Sequence, residues 1–353
     1  MLEGGKAMKV LLVVESVAKS MGSERVVDST AKWLRREGVD VAILDPRLDL
    51  PLWLVREFDV VHVFNSGGSL RAVFELVNGV KGEKPIVLTV TYWPPTVGEI
   101  KLAEKVMGLD GERIAILMQA RAAKDVTLFR IAERADALIF TSEREMKAFF
   151  EAEESFGFRA KGLCEVVENA VDPEEVSEVK VEKECGLCAT VGRVEVAKNQ
   201  WTVIQALREL KKEFPVIRYV SVGRDSLRLS EKAKEGWIEF TGEVEPLEAL
   251  RVLGRAEVHI LASLRDTPGL ASLEAAALGC KLVVSDDPYG TARDYFPEDM
   301  VSFVDPLSPI SVYRGILEEL SRERRWGLRE WVLGKFSYPK VVKKLIELYN
   351  QVR

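Results

Sequence analysis

Along this chain, short apolar runs alternate with longer stretches in which apolar and charged positions recur at helical spacing. Val10 to Val14, Val41 to Leu44, Val60 to Phe64, Ile86 to Val90, Ile114 to Met118 and Ala137 to Phe140 are such runs. Nearly continuous apolar runs of this length are the pattern of strands buried on both faces. Between the first two lies an amphipathic stretch that ends near Glu37 with Gly38 as its stop, so strand, helix and parallel strand are predicted in succession. A second series recurs at Leu187 to Val191, Ile217 to Val222, Trp237 to Phe240, Val258 to Leu261, Lys281 to Ser285 and Val301 to Val304. The expectation is an α/β chain with two Rossmann-like, doubly wound domains.

The charged stretch Asp172 to Glu184, with its alternating Val, Glu and Lys, reads as an exposed connection. It places the boundary between a first domain over 8–171 and a second over 172–335. A chain of 353 residues suits this division, because single cores usually stop growing beyond about 250–300 residues. Met8 opens the first strand, and the seven residues before it read as a leader outside the fold. Ligands of such sheets sit beyond the carboxyl ends of the strands, so two domains facing across a cleft would put their chemistry there.

Composition narrows the function classes. A net charge of -6 disfavours nucleic acid as the main partner. No stretch reaches the about 20 apolar residues needed to cross a bilayer, and the start lacks a signal-peptide core, which predicts a cytoplasmic protein. Glu, Lys and Arg are abundant while Asn and Gln are scarce, a thermophile-like composition. Among Cys164, Cys185, Cys188 and Cys280, only Cys185 and Cys188 form a Cys-x-x-Cys pair. Zinc would need two more ligands beside it, whereas His62 and His259 read as strand residues, so buried thiols are the default and a disulfide ranks ahead of metal.

The chemistry-bearing segment is Asp266-Thr-Pro-Gly-Leu-Ala-Ser-Leu-Glu274, followed by Ala-Ala-Ala-Leu-Gly279. Pro268 and Gly269 precede a first helical turn at Leu270, and Gly279 supplies the stop. The unpaired amides of such a helix start offer a diphosphate several donors and the positive end of the dipole. Glu274 would accept from both ribose hydroxyls if it faces the ligand; as a solvated helix carboxylate it would do nothing. Gly192-Arg193, with Lys198 five positions on, forms a second cluster after a buried strand. Glycine admits close backbone approach, while Arg grips two phosphate oxygens and Lys adds a point charge, which suits a diphosphate leaving group.

These segments, in this order, resemble the GT-B-fold retaining glycosyltransferases of family 4 (glycosyltransferase group 1). The resemblance spans nearly the whole chain: Val167-Glu-Asn-Ala-Val-Asp172, Val191-Gly-Arg with Lys198, Phe240-Thr-Gly-Glu-Val244, Asp266 to Gly279, and Phe336-Ser-Tyr-Pro. It implies that Arg193 and Lys198 bind the donor diphosphate and that Asp266 and Glu274 are the acidic pair of a Glu-x7-Glu motif, Glu274 holding the ribose. It also implies that the Gly242-Glu243-Val244 turn borders the base, and that 336–353 forms a helix crossing back onto the N-terminal domain. The chain departs from the family in having Asp at 266, no histidine after Ile86 to Val90, and the single glycine Gly22 in the loop after the first strand. Gly22 remains the place where a phosphate or acceptor could approach.

The implied activity moves a hexose from a nucleotide diphosphate sugar, the co-substrate, to an acceptor with retention, needing no metal or other cofactor. No Asp-x-Asp motif stands in the chain, and Asp286-Asp287 are adjacent. An acceptor of sugar, lipid or small-molecule type would sit near Gly22, Asn65 to Ser69 and Tyr92-Trp93. Tyr92 and Trp93 would either stack on a sugar or pack on the sheet. The segment Arg121 to Arg134 mixes cations with Val126, Leu128 and Phe129, which reads as a solvated helix face or as a peripheral membrane contact. Two other readings share the fold: a nucleotide-sugar epimerase, and a nucleotide-sugar-binding protein with a degenerate site.

Overall fold

The structure is a computed structural model that describes residues 7–15, 22–48, 52–65, 70–267, 269–323 and 327–353. The chain divides into two compact units. One comprises Met1–Tyr92, Ala115–Asn169 and Tyr338–Arg353, the other Trp93–Ile114 and Ala170–Ser337. The segment Trp93–Ile114 therefore groups with the second unit although it lies within 8–171.

The first unit holds a six-stranded sheet of β1 (Lys9–Val14), β2 (Asp40–Leu44), β3 (Val60–Phe64), β4 (Ile86–Thr89), β5 (Ala137–Phe140) and β6 (Leu163–Val166). Its order is β2-β1-β3-β4-β5-β6, and every pairing is parallel. The central strands β3, β4 and β5 are buried throughout, which explains their unbroken apolar runs. The helix Tyr338–Val352 belongs to this unit, where Tyr338, Val341, Val342, Leu345, Leu348 and Tyr349 form its buried face. Tyr349 Oη lies 2.6 Å from His62 Nδ1, while His62 Nε2 lies 2.7 Å from Thr89 Oγ1. Burial drives the His62 pKa down to about 3, so this ring is a neutral structural link between sheet and helix.

The second unit holds β7 (Glu184–Val191), β8 (Arg218–Val222), β9 (Ile238–Gly242), β10 (Ala256–Leu261), β11 (Lys281–Ser285) and β12 (Ser302–Val304). Their order is β12-β11-β10-β7-β8-β9, again all parallel. Counted from β7, this is the strand order 3-2-1-4-5-6 read along the sheet, whose direction of winding reverses between β7 and β10. Each unit is thus doubly wound, as the alternating pattern predicts.

The apolar run Ile114 to Met118 is a correction. It lies in the helix Gly111–Ala132, with Ile116 58% and Leu117 54% exposed. The surrounding Ala, Gln, Arg and Leu are strong helix formers, and a short apolar run cannot by itself distinguish strand from helix. The Asp172 to Glu184 connection also carries a short helix, Pro173–Glu178, capped by Asp172 and buried at Val176. None of Cys164, Cys185, Cys188 and Cys280 forms a disulfide. Three positions apart on β7, Cys185 is exposed and Cys188 buried, as expected for opposite faces of a strand.

Candidate functional site

The reversal between β7 and β10 is where doubly wound sheets place their ligands, beyond the carboxyl ends of the strands, and the loops that follow those two strands carry the charged residues. After β7 the backbone passes through Gly192 at φ 144°. A side chain at Gly223, which follows β8 at φ 130°, would meet Gly192 O at 2.4 Å. The two glycines let the loops after β7 and β8 run in contact, and Val194 N then donates to Arg224 O at 2.9 Å. Arg193 projects from this paired turn with its side chain 52% exposed, 3.4 Å from Glu195.

Lys198 ends the one-turn 3₁₀ helix Val196–Lys198. Two contacts fasten that turn to the loop after β10: Leu264 N donates to Ala197 O at 2.7 Å, and buried Asn199 Nδ2 donates to Ala262 O at 3.0 Å. Asn199 Nδ2 also donates to Pro306 O, after β12, at 2.6 Å. Asn199 has φ 54°, a left-handed conformation that asparagine tolerates, and its Oδ1 caps the following helix at Thr202 N. Lys198 Nζ is thereby brought 2.9 Å from Asp266 Oδ2.

Asp266 is held from the other side by the loop after β11. Its N donates to Tyr289 O and its carbonyl accepts from Thr291 N, each at 3.2 Å. A side chain at Gly290 would meet Asp266 O at 2.6 Å, so only glycine permits this approach. Ser263 Oγ donates to Asp266 Oδ2 at 3.3 Å. The same oxygen lies 3.2 Å from where a side chain on Gly269 would begin. Gly269 precedes the helix Leu270–Ala277 and gives it no side-chain cap; Ser272 N donates to Gly269 O at 2.9 Å, and the remaining amides of a helix start of this kind are the donors that a ligand or water satisfies.

Glu274 lies a turn beyond Leu270 and is buried, which excludes the solvated-carboxylate reading. His259 on β10 backs the same helix, its Nε2 3.2 Å from Ser272 Oγ. Burial, reinforced by the charges of Lys198 and Lys183, takes its pKa down to about 3, so this histidine is a neutral strand residue. At the end of β9, Gly242 takes φ 70°, Glu243 is exposed and Val244 packs partly buried against the core.

Residues 186–310 match the family model described as Glycosyl transferases group 1. Among solved structures, sucrose-phosphate synthase from Thermosynechococcus elongatus is similar at TM-score 0.70 and 17% identity, covering 98% of each chain. HepE from Anabaena, described in complex with UDP and glucose, is similar at TM-score 0.67 and 14% identity, over 97% of this chain and 99% of its own. A glycosyltransferase from Rickettsia africae gives TM-score 0.66 and 13% identity over 99% of both. No curated protein matches by sequence. The chain has the GT-B fold of these structures.

Within this fold the structure brings Lys198, Asp266 and Gly269 together, while Arg193 stands on the neighbouring turn. It also changes the picture of a cationic pocket, because Lys198 and Arg193 each already face a carboxylate. Sequence reasoning missed Asn199, Gly223 and Tyr289 to Thr291, which act through backbone contacts; the one visible signal was a glycine directly after a buried strand. Pro268 and Ser66 to Ser69 lie outside the described residues, and Gly22 is described only as the first residue of the helix Gly22–Arg36. Tyr92 packs as a core residue, 3% exposed and edge-on to Phe149 at 5.7 Å, which excludes stacking on a sugar. Among the described residues no group of three His, Cys, Asp or Glu stands in metal-binding array, and no helix is long and apolar enough to cross a membrane.

Proposed function

We propose that this chain transfers a hexose from a nucleotide diphosphate sugar to an acceptor, with retention at the anomeric carbon and without a metal ion. The observation that carries the reading is the Lys198–Asp266 pair, 2.9 Å apart beside the uncapped start of the helix Leu270–Ala277. A diphosphate placed against those amides would accept from them and draw the Lys198 ammonium toward itself, with Arg193 adding a second cation. Freed from Lys198, Asp266 would turn toward the transferred sugar. Glu274 would hold the ribose, and Gly242 to Val244 would border the base. The second unit is then the donor side and the first the acceptor side, the acceptor being a sugar, a lipid or a small molecule.

The charge that develops as the glycosidic bond breaks falls on the leaving phosphate, where Arg193, Lys198 and the helix amides offset it. That phosphate would take the acceptor's proton on the same face, which leaves positioning as the protein's main further task. HepE with UDP and glucose supports the substrate class, as does the trehalose-6-phosphate protein from E. coli with UDP-2-fluoro glucose.

The test incubates the protein with UDP-, GDP-, ADP- and dTDP-hexoses and a panel of acceptors, following nucleoside diphosphate release and anomeric configuration by NMR, with and without EDTA. Retained product and unchanged rates in EDTA are expected. An inverted product or loss of activity in EDTA would overturn the mechanism. A donor sugar altered without any acceptor would indicate epimerisation, and binding without turnover a degenerate site.

A further inference from the structure

At the opposite, amino-terminal edge of the second sheet, Lys183 and Cys280 meet. Lys183 Nζ lies 3.1 Å from Cys280 Sγ. Both groups are fixed by the end of the helix Pro246–Arg255: Lys183 Nζ donates to Leu253 O at 3.2 Å and to Ala256 O at 2.7 Å, and Cys280 Sγ donates to Leu253 O at 2.9 Å. Cys280 is only 3% exposed, yet it lines a surface pocket with Val176, Leu278 and Glu330. Lys183 borders two adjoining pockets. A small neutral oxidant entering the first of these pockets meets the residue that carries the sulfur.

We propose that Lys183 and Cys280 form a peroxide-sensitive modification site that closes to an oxygen-bridged N–O–S cross-link. The Lys183 ammonium, 3.1 Å from the sulfur, offsets the negative charge that appears when the thiol gives up the proton it shares with Leu253 O, and the resulting thiolate is the form that reacts with peroxide. In the first step the thiolate attacks one oxygen of hydrogen peroxide: the S–O bond forms, the O–O bond breaks, and the released hydroxide takes a proton from Lys183 as water. Cys280 is now a sulfenic acid and Lys183 a neutral amine. A second hydrogen peroxide oxidises this pair by two electrons. The Nζ–O bond forms, the sulfenic hydrogen and one amine hydrogen leave, and two waters result. In sum, one thiol, one amine and two peroxides give the bridge and three waters. The 3.1 Å separation favours a bridging oxygen over a direct S–N bond, because the shared carbonyl of Leu253 keeps both atoms from collapsing together.

The test uses the whole protein, with and without hydrogen peroxide, digested with trypsin without reductant and examined by mass spectrometry. The expected species joins the peptide 181–193, uncut at Lys183, to the peptide 266–281, one oxygen heavier and two hydrogens lighter than their sum, with fragmentation assigning Lys183 and Cys280. Dithiothreitol should separate the two. Cys280→Ser and Lys183→Gln should each abolish the species, but the wild-type spectrum decides the matter even if a variant folds poorly. Exposed Cys164 and Cys185 report that oxidant was delivered. Their oxidation with Cys280 unmodified, or with Cys280 only as sulfinic or sulfonic acid, would overturn the proposal. A joined pair lacking the extra oxygen would overturn the bridged form in favour of an S–N bond or a disulfide.

Discussion

The loops at the carboxyl ends of the two sheets use their acidic side chains differently. In the first unit they hold backbone. Asn65, after β3, donates to Val90 O at 2.7 Å and Thr91 O at 3.1 Å. Fully buried Glu145 accepts from Tyr92 N at 2.5 Å and from Thr141 N and Oγ at 2.6 Å. Between them they fix Thr91 at φ 45°, a conformation rare for a β-branched residue. In the second unit Asn199 likewise holds backbone, at Ala262 O and Pro306 O, but the corresponding loops also carry charged side chains that meet each other, Lys198 with Asp266 and Arg193 with Glu195, where glycines let the loops approach. A carboxylate committed to backbone donors is structural; a partly exposed ion pair beside a helix start without a side-chain cap can be re-partnered by an anion.

The strongest break of this comparison is Glu145→Ala. Removing the carboxylate strands the buried donors of Tyr92 and Thr141, at about 1–3 kcal/mol each, so a stability loss of about 3 kcal/mol is expected in denaturant unfolding. Burial raises the Glu145 pKa, with the Thr141 and Tyr92 hydrogen bonds opposing it. A change below about 0.5 kcal/mol would show that this carboxylate holds nothing. Lys198→Ala should behave the other way. Its pair with Asp266 is 21% and 16% exposed, so the stability change stays within about 1 kcal/mol, while turnover falls by about 10²-fold or more if the ammonium meets the leaving diphosphate. Equal turnover in both proteins would remove Lys198 from the site.

Much of this was legible in the sequence for a physical reason. Strands buried on both faces must be apolar throughout, so β1, β3, β5, β10 and β11 announce themselves, and the helix Leu270–Ala277 is bracketed by Gly269 and Gly279. Edge strand β6 has an exposed, mixed sequence, Leu-Cys-Glu-Val, and carries no such signal. Glu145 could have been found: Ser142 stands three residues before it as in a capping box, and Ser142 Oγ does accept from Glu145 N at 3.1 Å. The grouping of Trp93–Ile114 with the second unit was not legible. It depends on long-range contacts such as Thr96 Oγ1 to Leu264 O at 3.4 Å and Arg265 with Glu99 at 3.2 Å, which no local pattern encodes.

Acid separates the units less, because each buries one neutral histidine. The pKa values of His62 and His259 fall from 6.5 to about 3 on folding. Below pH 6.5 the unfolded chain takes up protons that the native chain refuses, so stability declines as pH falls toward 3 and is insensitive to these groups above 6.5. Buried Glu145 and Glu153, whose pKa values are raised chiefly by burial, act in the opposite sense above 4.5, which makes a difference curve the clean measurement. Unfolding of the wild type and of His62→Gln between pH 4 and 7 should differ in slope by up to about 1.4 kcal/mol per pH unit. Parallel curves would mean that His62 is charged in the native protein.

The mildest expected effect falls on Glu274, and it decides whether the second unit's loops serve a nucleotide. Glutamine preserves the volume of this buried helical side chain but removes the charge from any bond it accepts. A charge-assisted hydrogen bond contributes about 1.5–3 kcal/mol, so losing that assistance should weaken nucleoside diphosphate binding by about tenfold, or about 1.4 kcal/mol. A shift in thermal unfolding alone would not assign the role, since any buried carboxylate can have a structural one. The chemically specific readout is the ribose: calorimetric titration of UDP, GDP and ADP and their 2′-deoxy analogues against wild type and Glu274→Gln. If Glu274 grips the ribose hydroxyls, the substitution should cost more affinity for the ribonucleotides than for the deoxy forms, which have already lost one of the two bonds. An equal cost for both would place the carboxylate away from the sugar, and no cost for either would return the comparison to charged loops without an assigned ligand.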